Sequence, residues 1–241
     1  MKKLFKGFAL SLSMLSILPF FKVHDFYKGI NGYAVMFYPL IGFLLGLVLY
    51  GAFLLLTPYF PPLHVSIILF ALWVLLTGAL HLDGFADTVD GLFVAKEKAL
   101  HVMKDPYNGG MGMIFSVVFL LLKASSLIAF DLMYLLPVIL LLARLNAVLE
   151  IYFYPYLSQS GMGSLAKAEF TRGELFVALV YSFLIVLFFE STILLFVSLV
   201  VMLVVKSFFM KRYGGFTGDI YGFSIEITEL VLLNVVIVGL Q

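Results

Sequence analysis

The chain has 241 residues, of which 63% are hydrophobic and 12% charged, with a formal net charge of +1 and a mean hydropathy of +1.12. Soluble domains run at about 45–50% apolar and about 25% charged, and no globular core of this size hides so much apolar surface, so lipid is the solvent for most of the chain. The near-neutral charge gives no sign of a nucleic-acid partner, and the lack of cysteine removes disulfides, thiolate zinc sites and thiol catalysis.

In chain order, Met1-Lys2-Lys3 and the apolar run 4–20 imitate a secretory signal but lack a small-x-small cleavage pattern, so this segment is expected to remain. Residues 7–21 are too few to cross a bilayer comfortably and suit an interfacial or re-entrant helix. Apolar runs predict spans over 33–57, 63–80, 111–130, 132–150 and 219–240. The tract 175–205 is too long for one crossing and divides near Glu190 into two short helices. Gly42 and Gly46 in the first span have the spacing of close helix packing. The expected fold is therefore all-α: a polytopic integral membrane bundle of about seven transmembrane helices plus the N-terminal interfacial or re-entrant helix, as a single domain over 1–241.

Charge supports that count. With seven crossings, every Lys and Arg outside the spans falls on the side of Met1, while the opposite turns carry only Asp131 and Glu190. By the positive-inside rule the Met1 side faces the cytoplasm, in a cytoplasmic (inner) membrane.

After the second span comes His81-Leu82-Asp83-Gly84-Phe85-Ala86-Asp87-Thr88-Val89-Asp90-Gly91. On a helix Asp87 and Asp90 lie about 40° and about 20° around the axis from Asp83, on either side of it, so all three carboxylates share one face. Like charges so crowded repel unless a cation sits among them, and hard oxygen ligands suit Mg²⁺, Mn²⁺ or Ca²⁺. An acidic cap at a membrane surface is the plainer alternative. His81 stands two residues before this face, where it could act as a base, orient a carboxylate or simply sit at the interface.

The next loop carries Met103-Lys104-Asp105-Pro106-Tyr107-Asn108-Gly109-Gly110-Met111-Gly112. Lys104 offers a positive charge, Asp105 a further oxygen ligand, and Asn108, Gly109 and Gly110 a turn whose amides can approach a phosphate at a helix start. A second glycine turn, Gly214-Gly215-Phe216-Thr217-Gly218-Asp219, opens the last span; Thr217 or Asp219 serves a substrate there or merely caps the helix. Asp83, Asp87, Asp90, Lys104, Asp105, Asp219 and Arg144 all fall near the cytoplasmic ends of their spans. Glu226 and Glu229 lie roughly 10–15 Å deeper. Carboxylates at that depth either face a cavity or cation, or pair with Arg144 or Lys123 to fix helix packing. Lys123, beyond the midplane, has the length to snorkel.

These motifs resemble the cobalamin synthase (adenosylcobinamide-GDP ribazoletransferase) family. The resemblance is carried by Tyr38-Pro39-Leu40-Ile41-Gly42, the block from Thr77 to Gly91, Met103-Lys104-Asp105, Ala143-Arg144 and Thr217-Gly218-Asp219, in order along nearly the whole chain. It departs at Pro106-Tyr107-Asn108, where the family has a small polar residue and a basic position. The resemblance implies a Mg²⁺-dependent transferase that joins adenosylcobinamide-GDP to α-ribazole, or its 5′-phosphate, and releases GMP. Mg²⁺ would sit on Asp83, Asp87, Asp90 and Asp105, with Lys104, Arg144, Asn108, Gly109, Gly110, Thr217 and Asp219 toward substrate. Asp90, His81 and Lys104 would be catalytic, Asp90 accepting the hydroxyl proton. The implied partners are the two substrates and membrane lipid, without nucleic acid; a homo-oligomer is compatible. A CDP-alcohol phosphotransferase uses related Asp-rich helices but follows its Ala with Arg, where Ala86 here precedes Asp87. A cation transporter would place its carboxylates nearer the midplane.

Overall fold

The computed structural model describes residues 2–18, 27–105, 107, 109–158 and 161–239. Among them run twelve helices: α1 (Lys2–Leu15), α2 (Ile30–Met36), α3 (Tyr38–Leu56), α4 (Pro62–Leu76), α5 (Leu80–Leu92), α6 (Lys96–Val102), α7 (Gly110–Ile128), α8 (Leu136–Phe153), α9 (Met162–Glu169), α10 (Arg172–Phe188), α11 (Thr192–Tyr213) and α12 (Gly218–Gly239). Five segments, namely α3, α7, α8 with its preceding turn, α11 and α12, are long and apolar enough to cross a bilayer; counting the bent pairs α4–α5 and α9–α10 once each gives up to seven. The expected all-α membrane bundle is the observed one.

The apolar surface says where lipid lies. Leu121, Phe196 and Val204 are exposed on α7 and α11, a state tolerable in hydrocarbon but not in water. α8 is the opposite case. Its apolar window is 94% buried against 28% for α7 and α11, so it is the axis around which the bundle packs. α3 lies against it through Gly42 and Gly46: a Cβ at Gly42 would strike the Leu140 carbonyl and the Arg144 side chain, and one at Gly46 the backbone of Pro137. Helices without hydrophobic drive between them gain by such close approach.

α4 and α5 meet at 80°. Residues 77–79 make the break, with Gly78 at φ 60° and Ala79 at φ 55°, both left-handed. For Ala that conformation costs about 1 kcal/mol or more, so the surroundings must impose it. They do: Ile17 donates its amide to the Leu76 carbonyl at 2.9 Å, and its side chain fills the space beside Gly78. The sequence places the acidic motif beyond a complete span 63–80; the structure instead makes the acidic helix the second half of a broken one. Fifteen residues of α4 rise only about 22 Å, short of the hydrocarbon thickness. α5 then packs against α7, with Phe85 tilted against Phe119 at 4.5 Å and stacked on Phe223 at 5.3 Å between centroids.

Of the N-terminal segment 7–21, residues up to 18 are described. α1 ends at Leu15 and packs on α2, where Gly7 lies directly against Tyr33. Fourteen residues reach about 21 Å, too short to cross, which agrees with the expected non-crossing helix.

Candidate active site

The site is built where α5, the start of α7 and the start of α12 converge. α5 and α12 touch because both carry glycine at the contact: a Cβ on Gly84 would stand 2.9 Å from the Asp219 carbonyl, and one on Gly222 3.0 Å from that of His81. Upstream, the Leu157 amide donates to the Phe216 carbonyl (2.8 Å) and the Phe216 amide to that of Pro155 (2.9 Å), tying the turn before α12 to the loop after α8.

Of the four aspartates expected to gather around a metal, Asp83, Asp87 and Asp90 lie near enough to interact through charge, and Asp219 joins them. Asp83 is exposed and Asp87 half-buried, and the charges that act most on Asp87 are those of Asp83, Asp219 and Asp90, in that order. Among the described residues neither Asp83 nor Asp87 has an ion-pair partner. Asp219 accepts the Thr217 hydroxyl at 3.2 Å and feels the charge of Lys104.

Asp90 is spent differently. Its Oδ2 accepts the Gly109 amide at 2.6 Å and its Oδ1 the Gly112 amide at 2.7 Å, so the carboxylate caps the N-terminus of α7 from a neighbouring helix. The cap satisfies two of the donors a helix start leaves open and opposes its dipole with negative charge. A Cβ at Gly109 or Gly112 would collide with that carboxylate, so these glycines make room for Asp90. The amides read from sequence as a phosphate cradle are thus held by a protein anion; Gly110 stays open to the outside.

Asp105 is exposed and accepts the Tyr107 amide in a local turn at 3.1 Å. Lys104 is exposed and donates to the Ser158 hydroxyl at 3.2 Å. Thr217 is the N-cap of α12: its hydroxyl accepts the Ile220 amide at 3.3 Å. Asn108 lies outside the described residues. Among the described residues no group of three or more His, Asp or Glu side chains is already placed to hold a metal. The donor chemistry of Asp83, Asp87 and Asp219, hard carboxylate oxygens without a cation, nevertheless fits Mg²⁺, which is usually held by one or two carboxylates plus substrate phosphates.

Arg144 lies deeper than the sequence suggested. It stands halfway along α8, fully buried, and pairs with Glu229. Lys123 pairs with Glu226 at 2.6 Å and also with Glu229, and its ammonium lies 4.3 Å from the centre of the Trp73 ring. Lys123 therefore turns inward instead of snorkelling, and the deep carboxylates form the intramembrane ion network that was the alternative to a cavity role. One edge of the network reaches the site: Arg144 Nη2 stands 3.4 Å from His81 Nδ1. Arginine only donates, so Nδ1 accepts and the proton of the neutral ring sits on Nε2. Among the described residues His81 Nε2 has no hydrogen-bond partner.

A cavity of about 310 Å³ opens beside this centre, with His81, Asp83 and Asp219 along one side. Two of its features escape sequence reasoning. Tyr221 lines it with a buried hydroxyl that has no partner among the described residues, and Tyr156 stacks on Tyr221 at 6.0 Å. Burial first, and the charge of Asp219 second, push the Tyr156 hydroxyl up, so it stays protonated. No spacing rule links either tyrosine to the acidic motif.

Comparison with known proteins fits this arrangement. The family model described as cobalamin-5-phosphate synthase matches residues 7–237. The chain belongs to the cobalamin-5-phosphate synthase family. Relatives named adenosylcobinamide-GDP ribazoletransferase include one from Acinetobacter baumannii, 35% identical over 96% of this chain and 97% of its own. One from Thermosynechococcus vestitus is 40% identical over 83% and 84%, and one from Pseudomonas aeruginosa 39% identical over 84% and 85%. No solved structure matches. For a cobalamin-5-phosphate synthase, the acidic face of α5 is the natural place to look for the chemistry, and neither a lipid phosphotransferase nor a transporter is favoured.

Proposed function

We infer that this membrane protein is an adenosylcobinamide-GDP ribazoletransferase acting in cobalamin synthesis. A ribazole hydroxyl attacks the phosphorus that bears cobinamide; the new P–O bond forms as the bond to the GMP phosphate breaks, and GMP leaves. The observation that supports the residue assignment is that Asp83 and Asp219 line a cavity while their charges, ahead of that of Asp90, act on Asp87 beside them. Transfer at a phosphodiester depends mainly on alignment and charge neutralisation.

Asp83, Asp87 and Asp219 would hold Mg²⁺, and that ion supplies neutralisation of charge on the transferring phosphate. Asp87, on which the charges of Asp83 and Asp219 act most, takes the hydroxyl proton. Asp90, with both oxygens engaged, positions the start of α7 and leaves Gly110 facing outward. Lys104 steadies the diphosphate of the nucleotide, and His81 donates from Nε2. Arg144 acts through His81. The site faces the cytoplasm of a cytoplasmic membrane, a reading supported by Lys104, Lys167, Lys211 and Arg212 at this end of the bundle.

The test offers one purified preparation two substrate pairs. Adenosylcobinamide-GDP with α-ribazole should yield GMP, stopped by EDTA and restored by Mg²⁺; CDP-diacylglycerol with an alcohol should yield nothing. Release of CMP without GMP would reverse the assignment.

A further inference from the structure

The cavity between α1, α3, α5, α8, α9 and α12 is larger than a metal site requires and differs in character from the carboxylates at its mouth. Its 310 Å³ lies at the lower end of ligand pockets, roughly 300–1,000 Å³. That admits a nucleoside. It does not admit a corrin macrocycle carrying a nucleotide.

The lining sorts the candidates further. Leu15, Ala147, Ile151, Ala166 and Ile225 give the inner walls an aliphatic surface, and Tyr38 and Tyr221 add aromatic ones. His81, Asp83 and Asp219 supply the polar side, and among the described residues no Lys or Arg lines the cavity. Among the described residues the aliphatic and aromatic walls offer a diphosphate no cation, so the guanosine diphosphate portion belongs at the edge, where Lys104 and an ion on Asp83 and Asp219 would meet it. A planar apolar base on a neutral ribose suits both halves of the lining: the base against aliphatic and aromatic walls, the ribose hydroxyls toward the polar side. Two buried polar atoms of the lining residues, His81 Nε2 and Tyr221 Oη, lack a partner among the described residues, a costly state that a hydroxylated ligand relieves.

Building on the proposed transferase activity, we propose that this cavity is the acceptor subsite: it takes the ribazole nucleoside, base inward, and presents its ribose to Asp83, Asp219 and His81. Adenosylcobinamide-GDP then approaches from outside the cavity, and the bond is made at its mouth. Base size is set by the α8 and α9 walls, through Ala147, Ile151 and Ala166.

The test changes the walls and leaves the polar side alone. In Ala166→Phe the ring fills the cavity; the Kd of α-ribazole, read by equilibrium dialysis, and its KM should rise at least about tenfold, while the KM of adenosylcobinamide-GDP stays within about twofold. Ile151→Ala enlarges the same wall. It should raise the relative kcat/KM for a riboside with a bulkier tricyclic base at least about tenfold over α-ribazole, a gain that misfolding cannot imitate. Unchanged α-ribazole binding in Ala166→Phe, a rise in the KM of adenosylcobinamide-GDP instead, or no gain in Ile151→Ala each overturns the subsite. Failure of the activity itself is separate: wild-type protein that binds α-ribazole in dialysis yet releases no GMP with both substrates contradicts the transferase reading and keeps the cavity assignment.

Discussion

Asp83→Asn and Asp87→Asn delete charge while keeping size, and neither carboxylate anchors a neighbouring helix, so each should lower turnover at least about 10²-fold with the unfolding temperature little changed. Asp90→Asn should differ. It replaces one acceptor facing an α7 amide with a donor, costing about 1–2 kcal/mol of stability. A melting curve in detergent beside the GMP assay separates the two kinds of aspartate; equal melting temperatures for all three variants would contradict the cap. The shared face of Asp83 and Asp87 was legible because it depends only on helical spacing. The work of Asp90 was not, since it needs the chain to return 19 and 22 residues later. Arg144 is the intermediate case: the depth of Glu226 and Glu229 offered Arg144 or Lys123 as partners, but that Glu229, 85 residues from Arg144, takes both cations came only from the fold. Removing one member of that buried network, as in Lys123→Met, leaves Glu226 and Glu229 short of a counter-charge and should destabilise by about 3–5 kcal/mol. Lys123→Met with Glu226→Gln should recover much of that loss, which a double-mutant cycle in denaturant reads directly.

Among the elements, the contact of α5 with α12 is the most sensitive. Gly84→Val must push the two helices apart, because even a single Cβ at 84 stands within 3 Å of the Asp219 backbone. It should cost activity at least about tenfold through displacement of Asp219, whereas Gly51→Val, at a position with no neighbour within 4 Å, should cost little. Similar activity in both variants would show that the α5–α12 approach does not set the site. Long apolar runs made the spans legible from sequence, and most limits shifted by only a few residues, although α11 runs on past 205 to Tyr213. The 80° turn was not, because Ala79 has no intrinsic reason to be left-handed; it is held there by the packing of residues 15–18. The 94° turn between α9 and α10 also went unread. There the apolar tract begins only after the bend, and α9 gives a short amphipathic piece that periodicity alone leaves in the loop.

For the whole molecule, the arrangement of charge predicts topology. Reporters fused at Asp131 and Glu190 should read external and one at Glu97 internal; an external signal at Glu97 would remove the cytosolic site. The bundle divides its work along the membrane normal. Lys123, Arg144, Glu226 and Glu229 lock α7, α8 and α12 together at depth, and the acidic face of α5 with the start of α12 stands toward the basic end. The central claim is that this acidic face holds the ion and performs the transfer. The most direct measurement is GMP release by purified wild type and Asp87→Asn, both substrates saturating, across a Mg²⁺ titration. Wild type should rise from nothing to a plateau, and Asp87→Asn should need at least about tenfold more Mg²⁺ to reach a plateau at least about 10²-fold lower. Superimposable titrations would contradict it.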